Sequence, residues 1–170
     1  MTDVFYTQLK DSGAEWLGRV PAHWIICRIK DIALLNPTLT LTKPDPSEMA
    51  CFLPMENVSA IGDISCEHIK DVRALSRGFT NFQKQDVIIA KITPCFENGK
   101  GACLSDIPTR LGFGSTEFHV LRGRDGTQSK FLYYLTKTNL FLKQGEALMT
   151  GSAGQKRVPS SFLANFVFAA

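Results

Sequence analysis

The chain has no apolar run approaching the roughly 20 residues that a membrane-crossing helix needs. It also lacks a basic start followed by an apolar stretch: Met1-Thr-Asp-Val-Phe-Tyr6 is not a secretory leader, and a cytoplasmic location is expected. No two of its five cysteines (27, 51, 66, 95 and 103) have Cys-x-x-Cys spacing. A zinc site would have to join Cys66 and His68 to remote ligands, so no metal is expected and the cysteines are read as free, buried thiols.

Signatures of catalysis are missing too. The Asn/Asp-Pro-Pro-aromatic tetrapeptide of enzymes that methylate base amino groups is only half present in Asn36-Pro37-Thr38-Leu39, and no glycine-rich cofactor loop follows an early strand. Pro44-Asp45 resembles the start of a common nuclease pattern. That pattern needs an acid two residues before a lysine, and His68, Phe82, Ile89 and Asn98 precede Lys70, Lys84, Lys91 and Lys100 at that spacing. Glu97-Asn-Gly-Lys100-Gly is too short for a nucleotide-binding phosphate loop. Cys95, in a loop after Pro94, and His119 form the one plausible thiolate pair. The preferred reading makes Cys95 a buried strand-end cysteine and His119 a strand histidine; His23 and His68 are read as surface or packing residues.

What is present fits one globular domain. The 170 residues are 44% hydrophobic and 21% charged, with a net charge of +3, enough to bury a core and compatible with an anionic partner. Residues 1–24 place Trp16, Leu17 and Trp24 among Gly and Pro, and predict an irregular wrap anchored by those apolar side chains. Residues 25–170 form the domain proper. A short strand is expected near 24–29 and a helical turn over 30–35, stopped at Asn36-Pro37. A Thr-, Pro- and Asp-rich loop follows over 36–50, then strands near 51–53, 64–72, 87–92, 101–104 and 117–121. From Ser129 to Leu148 the period changes: Phe131, Leu132, Leu135, Leu142 and Leu148 predict one long helix capped by Thr127 or Ser129. A polar glycine-rich loop, 150–157, precedes a final strand over 162–168. The sum is a mixed α/β fold of several strands with one long helix near the C-terminus.

The chemistry concentrates between Asp86 and Phe118. The β-branched run Val87-Ile-Ile-Ala90 breaks into Lys91-Ile-Thr-Pro-Cys-Phe-Glu-Asn-Gly-Lys100-Gly, and Gly112-Phe-Gly-Ser-Thr-Glu-Phe118 follows. Lys91, Thr93, Glu97, Asn98, Lys100, Ser115 and Thr116 supply the donors and acceptors that read base edges, with Glu117 beside them. Arg73, Arg77, Lys84, Lys156 and Arg157 supply charges suited to phosphates. Sugar and protein binders use similar loops, so composition alone leaves the ligand open.

Four separated segments narrow it. Lys10-Asp-Ser-Gly-x-Glu-Trp-Leu-Gly-x-x-Pro-x-His-Trp24, Lys91–Gly101, Gly112–Phe118 and Gly151-Ser-Ala-Gly-Gln-Lys-Arg-Val-Pro159 together resemble the DNA specificity subunit of type I restriction-modification systems. The resemblance implies a non-catalytic target recognition domain that reads half of a split sequence in double-stranded DNA through the major groove. It implies methyltransferase and restriction subunits as partners, to which S-adenosylmethionine, ATP and Mg would belong, and a possible second specificity half. Family members carry two recognition domains and long spacer helices; this sequence is expected to end before the first of those helices. A module that acts by self-association or by pairing with another half, without strong DNA binding, is the alternative.

Overall fold

The computed structural model describes residues 8–38, 48–75 and 77–170. Most of the loop expected over 36–50 falls outside the described residues.

Two four-stranded sheets form the body of the molecule. The first contains β5 (Met49–Leu53), β6 (His68–Asp71), β7 (Thr80–Gln83) and β10 (Leu111–Gly114). Their order is β6-β5-β10-β7, with β10 parallel to β5 and antiparallel to β7. The second contains β4 (Ala33–Leu35), β8 (Val87–Ala90), β9 (Gly101–Cys103) and β11 (Phe118–Gly123), in the antiparallel order β4-β11-β8-β9.

Side-chain alternation explains how the sheets stack. Along β8, Ile88 joins Cys51, Leu53, Phe82, Phe118 and Val120 in a core between the two sheets. Val87 and Ile89 point the other way, into a second core. That second core is roofed by α1 (Ile29–Ile32), α3 (Ser129–Thr136), α4 (Asn139–Ala147) and α5 (Ser160–Asn165). All four β8 residues are buried because the strand is covered on both faces, which is why it reads as a continuous apolar run. A smaller core lies under α2 (Val72–Leu75), on the outer face of the first sheet.

The mixed α/β expectation holds, with local corrections. Residues 129–148 form two helices rather than one long one. The chain breaks at Lys137-Thr138, where the Thr138 hydroxyl accepts from Phe141 N at 3.2 Å and caps α4. The N-cap of α3 is Gln128, while the Ser129 hydroxyl donates to Gln85 O. The expected final strand is instead α5 followed by β12 (Val167–Ala169), which pairs with β3 (Ile26–Arg28). Within the segment expected to be irregular, β1 (Leu9–Asp11) and β2 (Arg19–Pro21) form an antiparallel pair; Val20 is buried, whereas Trp16 is exposed. The helical turn near residue 30 is limited to α1 and runs directly into β4.

Two cysteines also depart from expectation. Cys51 and Cys66 are joined in a disulfide, leaving Cys27, Cys95 and Cys103 free.

Gly112 and Gly114 belong to the buried strand β10, not to a loop tip. A Cβ at Gly112 would lie 2.0 Å from the Phe82 ring, and one at Gly114 would lie 2.4 Å from Leu53 O. Both are glycine because the flanking strands, β7 through Phe82 and β5 through Leu53, approach β10 too closely for a side chain.

Candidate functional site

Lys91 stands where β8 ends, and three separated segments meet around it. Its backbone N donates to Glu117 O at 2.8 Å, just before β11. Its carbonyl accepts from Val158 N at 2.9 Å, and Thr93 N donates to Lys156 O at 2.9 Å. The glycine-rich segment is thereby laid along residues 91–93. Thr150 and Arg157 exchange backbone hydrogen bonds of 3.1 and 2.8 Å and close it into an arm.

The charges are arranged around Glu117. Arg157 grips its carboxylate with two parallel hydrogen bonds, Nε to Oε2 at 2.9 Å and Nη2 to Oε1 at 2.7 Å. Those hydrogen bonds are the main reason the Glu117 carboxyl is held below the usual carboxylate range. Burial pushes the Lys91 ammonium down; Glu117 opposes that shift and Arg157 adds to it. Lys91 also lines a small cleft of about 260 Å³ together with Asn36, Pro37, Thr80, Asn81, Phe118 and Val120.

Behind this surface lies His119, 4% exposed. Its Nδ1 lies 3.2 Å from Asn36 Nδ2, and its Nε2 lies 3.0 Å from Val158 O. Asn36 Oδ1 accepts from Val120 N at 2.9 Å, which fixes the amide with its NH2 toward the imidazole. Nδ1 therefore accepts and Nε2 carries the proton. Burial lowers the His119 pKa, so the ring is neutral. Both nitrogens are occupied, and His119 is not paired with Cys95.

The structure brings together Lys91, Thr93, Ser115, Thr116, Lys156 and Arg157 of the residues singled out from sequence. Ser115 Oγ accepts from Glu117 N at 3.2 Å, and Thr116 is exposed beside it. Asn98 is exposed in the turn that follows Pro94. Two of the expected contact residues turn inward. Lys100 Nζ donates to Met55 O at 3.0 Å, and Glu97 Oε1 accepts from the Thr93 hydroxyl at 3.0 Å, while Glu97 Oε2 is buried without a described partner. Arg73 lies in α2, which covers the outer face of the first sheet, and Arg77 is exposed in the connection between α2 and β7. Lys84 lines a separate polar hollow of about 650 Å³ with Gln85, Asp106, Gln128 and Lys130, beside the Asp86–Arg122 pair.

Residues passed over in the sequence are Asn36, Thr80 and Asn81, which share the cleft with Lys91. The clue for Asn36 is its place before Pro37; it adopts a left-handed φ of 48°, a conformation that asparagine tolerates. Among the described residues, no group of three or more His, Cys, Asp or Glu could hold a metal, and no helix is long and apolar enough to cross a membrane.

A rigid two-sheet body with polar segments converging at one strand end defines a mixed α/β binding domain. Its curated relatives give that class a family. The chain is 42% identical over 148 residues to the specificity subunit of the type I restriction enzyme EcoAI from Escherichia coli, and 36% identical over 149 residues to that of EcoEI. Each match takes in 86% of this chain and 25% of the relative, so the chain spans about a quarter of the curated relatives' length. The chain is thus homologous to one part of type I restriction enzyme specificity subunits. Among solved structures, the HsdS subunit from Thermoanaerobacter tengcongensis matches with a TM-score of 0.66 at 22% identity, over 88% of this chain and 38% of that one. A chain from a study of complex assembly and conformational transition in the type I R-M system matches at 0.54 and 14% identity, over 95% and 36%. At such identities these likenesses show the fold. No protein-family model matches the chain.

Proposed function

We propose that the chain is a DNA target recognition domain, the element of a type I specificity subunit that reads one half of a bipartite sequence. The observation that carries this reading is the convergence of Lys91, Ser115, Thr116 and Lys156 at one end of β8, on a surface that pairs cations for phosphates with hydroxyls for base edges. Homology to specificity subunits supports it. In this role the chain has no chemistry of its own. It directs methyltransferase and restriction subunits, which bring S-adenosylmethionine, ATP and Mg, and it works in the cytoplasm beside the DNA.

One domain making few phosphate contacts binds weakly and with strong salt dependence. Fluorescence anisotropy on a pool of random duplexes, repeated across salt concentrations, tests this. Lys91→Gln and Lys156→Gln are each expected to weaken binding and to reduce the slope of log affinity against log salt by about 1. Absence of binding at low salt, or an unchanged slope in both variants, would refute the reading.

A further inference from the structure

The arm between Thr150 and Val158 is fastened at its base and free at its tip. All residues from Gly151 to Arg157 are exposed, so the arm contributes little to either core. Its base is nevertheless tied on three sides: by the Thr150–Arg157 bridge, by the Ile92–Arg157 bridge, and by the bond from Thr93 N to Lys156 O. Gln155 N donates to Ser152 O at 3.0 Å and closes the tip as a turn. Gly151, at φ 127°, lets the two sides approach, since a Cβ there would stand 2.8 Å from Gln155 O.

Arg157 is committed to this fastening. Its Nε and Nη2 are taken by Glu117, and its Nη1 donates to Gln155 O at 3.3 Å. That leaves few donors for DNA, contrary to the expectation that Arg157 makes contact itself. The tip presents Ser152, Gln155 and Lys156. Among these, only Gln155 offers the paired donor and acceptor that matches the N7 and N6 groups of adenine, and its side chain is exposed. Lys156 beside it is a point charge, suited to a phosphate.

We propose that residues 151–157 form a base-reading finger in which Gln155 is the discriminating side chain, and that Glu117 is a positioning residue that sets the finger by holding Arg157. This rests on the DNA-recognition reading. It also separates two roles that composition merges, since Arg157 orients and Gln155 reads. A finger ordered before binding gives up less freedom when it meets its site.

The test is selection of bound duplexes from a random library by the full 170-residue chain and its variants. The unaltered chain enriches one short sequence. Gln155→Ala is expected to relax preference at one base pair by about tenfold, in line with the loss of one bidentate pairing. Lys156→Gln weakens binding to all sequences and leaves the preference intact. Glu117→Gln relaxes the same base pair as Gln155→Ala, an effect that a purely structural lesion does not produce. If Glu117→Gln fails to fold, Gln155→Ala decides alone, because its side chain lies at an exposed tip. Two results overturn the finger while leaving DNA recognition standing: a preference unchanged at every position in Gln155→Ala, or a uniform loss of affinity in that variant. A chain that selects no sequence at all overturns both.

Discussion

His119 shows how one buried side chain links the site to pH. Its neutral form accepts from Asn36 and donates to Val158 O, and Val158 in turn donates its own N–H to Lys91 O. Burial lowers its pKa in the folded state, so below about pH 6.5 the unfolded chain takes up the proton first and stability falls. A proton on Nδ1 would also face the Asn36 amide donor. Glu117, whose folded pKa is depressed, adds its own loss further down: its contribution is present above the ordinary carboxylate range and disappears as pH falls through the folded value. Thermal melts across pH are expected to show stability declining from about pH 6.5 downward, and His119→Leu is expected to remove the first part of that decline. Asp86 makes a second test. Its 1% exposed carboxylate accepts from Arg122 Nε and Nη2, both at 2.8 Å, and from Gln83 N at 2.8 Å. Arg122→Met strands that charge and is expected to cost about 3–5 kcal/mol in urea denaturation; a loss under about 1 kcal/mol would mean that water solvates the carboxylate in the variant. Neither pairing was legible in the sequence. The meeting of Asp86 and Arg122 depends on β8 and β11 lying side by side, which no local pattern encodes.

At the scale of elements, periodicity located apolar segments well and their ends poorly. Leu135 and Leu142 are seven residues apart, so the helical rhythm passes through the Lys137-Thr138 break without a fault, and only the capping bond at Thr138 marks it. The strand expected over 162–168 differs from the structure for a related reason. Phe162, Leu163, Phe166 and Phe168 are all buried, and a short α5 leading into β12 buries them as well as a strand would. Glycines carried more than turn signals. Gly145 sits inside α4, where a Cβ would come 2.3 Å from the Phe96 ring and 2.9 Å from Phe162. Gly145→Ala should gain about 1 kcal/mol in helix propensity. The overlap opposes it, because Phe96 is fully buried in the turn after Pro94 and cannot move aside without disturbing residues 94–99. The net expectation is destabilisation by about 1–3 kcal/mol, measured by chemical denaturation; a variant more stable than the parent would show that the ring relocates freely.

Across the whole molecule, the mixed α/β class was readable from strand alternation and the change of period after residue 129. Strand pairing was not. The parallel match of Gly112 with Cys51 joins residues far apart in the chain, and no local pattern encodes it. The same distance effect hid the disulfide: Cys51 lies in β5 and Cys66 precedes β6, and only the antiparallel return brings them to a Cα separation of 5.8 Å. Thiol titration of the denatured, unreduced protein is expected to find the three thiols of Cys27, Cys95 and Cys103. Five would show the pair to be reduced.

The strand order has a consequence for the way the chain is made. β10 is an inner strand of the first sheet and β11 an inner strand of the second, and the two are separated by only a short turn. While a ribosome is still building residues before 111, β5 and β7 have no neighbour between them, and β4 and β8 are equally apart. Thirteen residues, Leu111 to Gly123, then complete both sheets at once. Neither sheet can therefore close before this stretch emerges, and the apolar edges of both halves wait for it together.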